Sequence, residues 1–406
     1  MAQENWDRTK FAPQHNGRNV LPCMPLFTRL LRLAHRKLLK VAVRDVRANT
    51  ERTYLELLTD VLDFRERMKD IISSQNLEAI RKGQEIYIAV LAPGGYEFAV
   101  GVLAVLATGE AVVPMTTVLP VEEASYFVNK SQAVAVLAAE SALNLGMGLQ
   151  RHINLSTNKD FKCIPLKPSI VSEPLSSADI YISSDRYMDD NAPGVVIFTS
   201  GTTGPPKGAV MRRAFTHDFA LQVVEHYGIG QDDTVLHCLP VHHATGIGIM
   251  FFPLLMAGAT TEFRSGGFDE IVQRYGGTEF GAIFKVQMGA TNVPDGSVGQ
   301  IVPGYDIKLS NGNEGELLVR NSHMFAKYLH DPETTAKAHN AEGYFKTGDI
   351  ARREGNHYFI ISRASQDIVK SGDYKFSALD MERELLALPY VAEAIVVDIH
   401  DGEFGQ

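Results

Sequence analysis

The 406-residue chain has only three cysteines, Cys23, Cys163 and Cys238, and they lie far apart. That supply suits neither a disulfide framework nor a metal cluster with CxxC spacing, so three ordinary thiols in a reducing compartment are expected. Basic charge is also scarce: 39 Lys and Arg stand against 48 Asp and Glu, a formal net charge of -9. A general nucleic-acid binder carries a basic footprint, so nucleic acid is excluded as a partner and small molecules fit better. Long apolar runs are missing too. Phe98 to Thr108 and Ile247 to Ala259 contain glycines and fall short of the roughly 20 residues a spanning helix needs, so no stable membrane insertion is expected. The N-terminus lacks an apolar signal core, and Glu4 and Asp7 interrupt any basic presequence pattern; a cytoplasmic location follows, with organellar targeting left open. Internal repeats and low-complexity tracts are absent.

What the chain does have is 45% hydrophobic and 21% charged residues, the profile of a soluble globular protein with two or more cores. Leu26 to Leu39 places apolar residues at helical spacing with basic residues between them, which predicts an amphipathic helix facing a core. Thr53 to Met68 repeats the pattern. Glu85 to Leu91 reads as a strand, Tyr96 to Thr108 as a helix, Ala111 to Pro114 and Ala133 to Ala138 as strands. Strands alternating with helices predict an α/β fold with a parallel sheet. From Ser156 to Asn191 the chain turns polar.

Next comes a buried-strand run, Gly194 to Thr199, followed at once by Ser200-Gly201-Thr202-Thr203-Gly204-Pro205-Pro206-Lys207-Gly208. Glycines let backbone N–H groups approach phosphate oxygens, the hydroxyls add donors, and Lys207 adds a compact positive charge, so the layout suits an anion cradle. A plain glycine-rich surface turn is the alternative. The loop is not of Walker type, because Lys207 is neither preceded by glycine nor followed by Ser or Thr. TSGTTGPPKG, Thr199 to Gly208, resembles the signature of the adenylate-forming superfamily, which comprises acyl-CoA synthetases, luciferases and peptide-synthetase adenylation domains.

Further segments resemble that family's elements in the family's order. Leu239 to Gly246 (LPVHHATG) is similar to a turn opening a helix beside the acyl pocket, with His243 as the candidate pocket gate; on its own, such a histidine is more often structural. Tyr275-Gly276-Gly277-Thr278-Glu279 resembles "YGxTE". The resemblance implies that Tyr275 and Gly276 pack at adenine, Thr278 lies near the α-phosphate, and Glu279 holds Mg²⁺ bridging the phosphates. Gly343 to Asp349 is similar to "GWxxTGD", implying that Asp349 accepts the ribose hydroxyls; a simple Gly-Asp turn is the alternative. Arg363 matches the ribose- and phosphate-contacting arginine, and Ser365 and Gln366 fall at the hinge. Lys370 to Glu382 resembles the segment lining the pantetheine tunnel for CoA, including Gly372 and Tyr374, although Asp373 stands where the family has a second glycine.

The implied reaction is activation of a small carboxylic acid by ATP to an acyl-adenylate, then transfer to CoA. Thr199, Ser200, Gly201, Thr202, Thr203, Gly204 and Lys207 would hold the phosphates. The run after Ser371 is closest to the malonyl-CoA synthetase branch, and Arg212, Arg213, Arg264 and Arg274 are candidate cations for a second carboxylate. The implied architecture is a large N-terminal α/β domain over 1–361, with parallel sheets flanked by helices and a small β-subdomain around Val298 to Tyr358. An α+β C-terminal lid over 362–406 follows. Two departures stand out. Between Phe263 and Tyr275 the chain has only RSGGFDEIVQR, so an internal segment near 264–274 is expected to be missing. The lid is expected to be partial, without the family's late lysine. A family remnant that binds nucleotide or a partner without turnover is therefore the alternative function.

Overall fold

The computed structural model describes residues 17–82, 84–157, 160–168, 173–199, 205–264, 274–286, 290, 292–294, 296–363, 368–371 and 374–377, with Leu385 and Val396. Two compact units result. One comprises Met1–Gly267 with Phe325–Asp331, the other Phe268–Met324 with Pro332–Gln406.

The first unit opens with β1 (Val20–Cys23) and α1 (Pro25–Arg36), in which Leu26, Phe27, Leu30, Leu33 and Ala34 are buried. The helix faces a core as its spacing predicts, but it ends at Arg36, leaving Leu38 and Leu39 exposed. β2 (Val41–Asp45) and β3 (Thr50–Thr53) form a hairpin leading into α2 (Tyr54–Ile71). Thr53 starts α2 through a capping box: its hydroxyl accepts from the Glu56 N–H at 3.2 Å, and Glu56 accepts from the Thr53 N–H at 2.7 Å, satisfying donors that a helix start otherwise strands.

After α3 (Ser74–Arg81) the chain enters the main sheet through β4 (Tyr87–Leu91), α4 (Tyr96–Thr108), β5 (Ala111–Met115), α5 (Val121–Ser131), β6 (Ala135–Ala139), α6 (Leu143–Thr157) and β7 (Lys162–Leu166). β4, β5 and β6 are buried at every position, as continuous apolar runs in a sheet covered on both faces must be. β4 pairs in parallel with β5 on one side and β6 on the other, Ile88 lying opposite Val112 and Ala135. Helix α4 packs against this sheet and against β2. That double contact explains why it is apolar all round rather than striped, and Gly109 ends it at φ +99°, a left-handed cap that suits glycine.

The polar stretch from Ser156 to Asn191 contains two strands that its composition hides. β7 is an edge strand with Ile164 and Leu166 inward and Pro165 outward, a position where proline costs no ladder bond. β8 (Tyr181–Tyr187) pairs in parallel with β1. β9 (Pro193–Thr199) and β10 (Lys207–Arg212) then form an antiparallel pair. The main sheet runs β7-β6-β4-β5-β9-β10 and closes on a short strand at Lys327–Tyr328.

Helix α7 (Asp218–Tyr227), β11 (Thr234–His237), a π-helical stretch at Thr245–Phe251, α8 (Phe252–Ala257) and β12 (Thr260–Phe263) complete the unit. The second sheet is ordered β11-β12-β2-β3. Its β12 is laddered on both sides, in parallel with β11 and β2, so among the described residues the short connection after Phe263 leaves no central strand unpaired.

The second unit is mostly antiparallel. β13 (Arg274–Gly277), β14 (Gly281–Lys285) and β15 (Gln300–Ile301) form one sheet; β16 (Asp306–Leu309), β17 (Glu314–Arg320) and the strands Phe345–Glu354 and His357–Arg363 form another. The second of these, over 306–363, overlaps the expected β-subdomain around Val298 to Tyr358 and runs past its end. Ile368–Ser371 and Tyr374–Ser377 make a separate hairpin. Among the described residues, no helix is long and apolar enough to cross a membrane.

Candidate functional site

In the first unit, the β9–β10 register puts Thr199 directly opposite Lys207. The two ends of the glycine-rich loop are thereby held side by side; Ser200 to Gly204 lie outside the described residues. The base of the loop is fixed from several sides. Tyr126 donates to the Pro206 carbonyl at 2.7 Å, and Phe198 meets Phe127 edge-on at 4.7 Å between ring centroids. Lys207 Nζ sits 5.5 Å from the centroid of the Tyr328 ring, a cation–π contact that leaves its N–H donors available. At position 208, a Cβ would stand 3.1 Å from Val196 and 3.3 Å from Leu329, and Leu329 N–H donates to the Gly208 carbonyl at 2.8 Å.

The Leu239–Gly246 segment forms a tight turn in which His243 N–H donates to the Pro240 carbonyl at 3.1 Å. A Cβ on Gly246 would stand 2.0 Å from the Pro240 oxygen, so no other residue fits there. His243 is exposed, with Nδ1 3.0 Å from the Thr245 hydroxyl.

Beneath this turn opens a cleft of about 240 Å³ at the ends of four strands, lined among others by Arg47, Gly94, Thr116, His242 and Arg264. His237 also borders it. That side chain is buried, stacks on Phe263 at 4.8 Å, and has Nε2 3.0 Å from the Gly246 carbonyl. Burial pushes its pKa down to about 4, with the Gly246 carbonyl pulling the other way. Burial, and then the neighbouring His243, lower His242 as well.

Arg47, His237 and His242 escape a motif-based reading. The available signal was positional: a polar residue ending a parallel strand, as His237 does, sits where α/β sheets bind ligands. Arg213, one of the candidate acid-binding cations, is committed elsewhere. It is buried, and its guanidinium donates to the carbonyls of Asp189 and Gly109 at 2.9 Å each. Satisfying buried carbonyls is its task, which removes it from the candidates.

The second unit gathers Tyr275, Gly276, Thr278, Glu279 and Asp349. Thr278 and Glu279 occupy the turn between β13 and β14, both half-buried. A Cβ on Gly276 would stand 2.2 Å from the Gly281 oxygen, so the close hairpin pairing requires glycine there. The Tyr275 hydroxyl donates to the Asp349 carboxylate. The Tyr275 ring stacks on Phe284 at 5.9 Å, and Phe284 on Tyr358 at 4.3 Å. Asp349 is buried, its N–H donates to the Thr347 hydroxyl at 3.1 Å, and it pairs in register with Arg363. Tyr374 lies in the terminal hairpin; Gly372, Asp373, Ser365 and Gln366 lie outside the described residues.

No group of three or more His, Cys, Asp or Glu capable of holding a metal occurs among the described residues. A single carboxylate such as Glu279 nevertheless suits Mg²⁺, which is usually held by one or two carboxylates together with substrate phosphates.

A largely parallel sheet that passes into the antiparallel pair β9–β10, joined by a glycine- and hydroxyl-rich sequence, has the layout of an α/β nucleotide-handling protein. A family model described as AMP-binding enzyme matches residues 34–267, more than half of the chain, and the chain belongs to that family. Among curated proteins, it is 26% identical to the acyl-CoA ligase oryP of Aspergillus oryzae, over 94% of this chain and 81% of that protein. It is 27% identical to a malonate–CoA ligase of Arabidopsis thaliana, over 79% of this chain and 66% of that one. Among solved structures, it resembles apo MatB from Rhodopseudomonas palustris, with a TM-score of 0.70 at 20% identity, covering 94% of this chain and 86% of MatB. It also resembles the o-succinylbenzoate CoA synthetase MenE of Bacillus subtilis, with a TM-score of 0.73 at 20% identity, covering 93% of this chain and 86% of that one. These similarities carry the fold.

Proposed function

We propose that the chain is an ATP-dependent acid–thiol ligase acting on a short carboxylic acid, malonate foremost. The observation that carries this reading is the hairpin placing Thr199 beside Lys207 in a chain that belongs to the AMP-binding enzyme family. In the first half-reaction, a carboxylate oxygen attacks the α-phosphorus of ATP, the bond to the β-phosphate breaks, and pyrophosphate leaves. In the second, the CoA thiolate attacks the acyl carbonyl and AMP departs. The protein contributes positioning and charge stabilisation.

Lys207 and the loop from Thr199 to Gly204 hold the β- and γ-phosphates, Thr278 the α-phosphate, Asp349 and Arg363 the ribose, and Tyr275 with Gly276 the adenine. Glu279 would hold Mg²⁺, which would neutralise charge on the phosphates. His243 gates the acid, and Gly372 with Tyr374 flanks the pantetheine arm. Arg212, Arg264 and Arg274 remain as cations for a second carboxylate. In this reading residues 1–361 act as the adenylation domain and 362–406 belong to the lid. The free thiols of Cys23, Cys163 and Cys238 fit the cytoplasm or a reducing organelle.

The test is product formation. The full chain is incubated with ATP, Mg²⁺, CoA and, in turn, malonate, acetate or octanoate, and acyl-CoA is measured by mass spectrometry. Malonyl-CoA in excess over the other products supports the reading; no acyl-CoA from any acid removes it and leaves a nucleotide binder. Lys207→Ala should weaken ATP binding by about tenfold or more, the worth of a charge-assisted contact, and unchanged affinity would refute the loop assignment.

A further inference from the structure

The first unit carries a stretch whose charge departs from the rest of the chain. No aspartate or glutamate occurs between Asp7 and Asp45, although the chain as a whole has 48 of them and a formal net charge of -9. That stretch contains α1, whose inner face is pinned into the core by Leu26, Phe27, Leu30 and Leu33. Its outer face presents Arg32 and Arg36, both exposed, an i, i+4 pair one turn apart. Neither makes a side-chain hydrogen bond or ion pair among the described residues.

Directly after the helix the chain doubles back. Lys37 N–H donates to the Leu33 carbonyl at 2.9 Å, closing α1, and Lys40 N–H donates to the Lys37 carbonyl at 2.9 Å, the bond that defines a β-turn. Leu38 and Leu39 occupy its two corner positions and stand in solvent, 55% and 89% exposed. Turn corners are ordinarily filled by Gly, Pro, Asn, Asp or Ser, so the turn itself does not call for two leucines. Tyr54 N–H donates to the Lys40 carbonyl at 3.1 Å, which ties the far side of the turn to the start of α2. An apolar tip is thus held on a fixed support, with Arg32, Arg36 and Lys37 beside it. The acids close by are Asp232 and Asp233. Asp232 stands 3.6 Å from Lys37 and is 98% exposed, a pair that water leaves weak.

We propose that the Leu38–Leu39 tip and the basic face of α1 dock the protein reversibly on an anionic lipid surface. Apolar residues enter the boundary between headgroups and acyl chains while the cations beside them meet the lipid anions. Each Lys or Arg close to such a surface contributes roughly fivefold in affinity, and partial burial of two leucine side chains about tenfold or more. Charge complementarity favours lipid over a second copy of the chain, because two copies meeting at this tip would bring like cations together. The contact stays at the surface, since a two-residue tip is far too short to span a bilayer. It uses no residue of the nucleotide or acid sites and does not depend on the reaction assigned above.

Co-sedimentation tests this with the full chain and two kinds of vesicle, phosphatidylcholine alone and phosphatidylcholine with phosphatidylserine at about three to one. Binding to the anionic vesicles that falls as salt is raised is the expected result. The pair Leu38→Gln, Leu39→Gln should weaken it about tenfold or more, and the pair Arg32→Glu, Arg36→Glu about twentyfold or more. Urea unfolding should be unchanged in both, because all four side chains are exposed. The proposal is overturned if the unaltered chain sediments with neither kind of vesicle or equally with both, or if both variants bind as tightly as it does. It is also overturned if analytical ultracentrifugation finds a dimer that the leucine variant converts to monomer, since the tip then meets a second copy.

Discussion

The two units hold their candidate residues by different means. In the first, Thr199 and Lys207 stand at the ends of β9 and β10, in a sheet whose strands β5, β4 and β6 are buried at every position, so packing of an apolar core sets the geometry. In the second, Tyr275 and Asp349 sit on antiparallel ribbons and are fixed by a side-chain hydrogen bond and a stack of aromatic rings. A core-set position resists loss of any one polar contact and fails when the core is cut. A position set by polar pairs does the reverse.

The largest effect should come from cutting the core. Leu103→Ala in α4, at a fully buried position, should cost about 4 kcal/mol in urea unfolding, combining lost transfer energy with a cavity. A cost below about 1 kcal/mol would show that α4 does not set the geometry.

Next is Glu110, which is 1% exposed and lies 2.5 Å from the Thr108 hydroxyl. That hydroxyl donates to the Glu110 carboxyl and also lies 2.7 Å from the Val105 carbonyl. Burial raises the Glu110 pKa to about 7, against smaller opposing effects of Thr108 and Lys69. Because the folded-state pKa is the higher one, the stability it contributes is full below the unfolded value and is lost as pH rises through about 7. Glu110→Gln should therefore be more stable than the unaltered chain by about 3 kcal/mol at high pH relative to its difference at low pH. A pH-independent difference would contradict a buried acid.

A smaller loss, about 1.5 kcal/mol, is expected for Asp45→Ala, which strips the N–H groups of Arg47, Ala48 and Tyr96 of their acceptor. The smallest is Tyr275→Phe, at about 1 kcal/mol for one hydrogen bond. If Tyr275→Phe destabilised the protein as much as Leu103→Ala, the contrast between the units would fail.

Legibility in the sequence followed the same divide. Continuous apolar runs announced β4, β5, β6 and β9, and the helix Tyr96–Thr108 was bounded correctly because Gly95 and Gly109 punctuate it. β7 and β8 escaped because an edge strand carries a weak apolar pattern, with Lys162 and Pro165 interrupting it. Arg213 was misjudged because its partners, the Asp189 and Gly109 carbonyls, are 24 and 104 residues away, and only the fold brings them together. The cleft was invisible for the same reason: Arg47 and Arg264 belong to distant segments joined by the pairing of β2 with β12. Lys207 and Asp349 were singled out by their neighbours in the chain itself, a signal that needs no tertiary structure to be read.

The most direct test of the assigned activity is carboxylate-dependent exchange of labelled pyrophosphate into ATP by the purified chain, which reads the adenylation half-reaction without CoA. Exchange that appears with malonate and falls sharply in Lys207→Ala is the expected result. No exchange with malonate, acetate or a longer acid, in a preparation that still binds an AMP analogue, would contradict it.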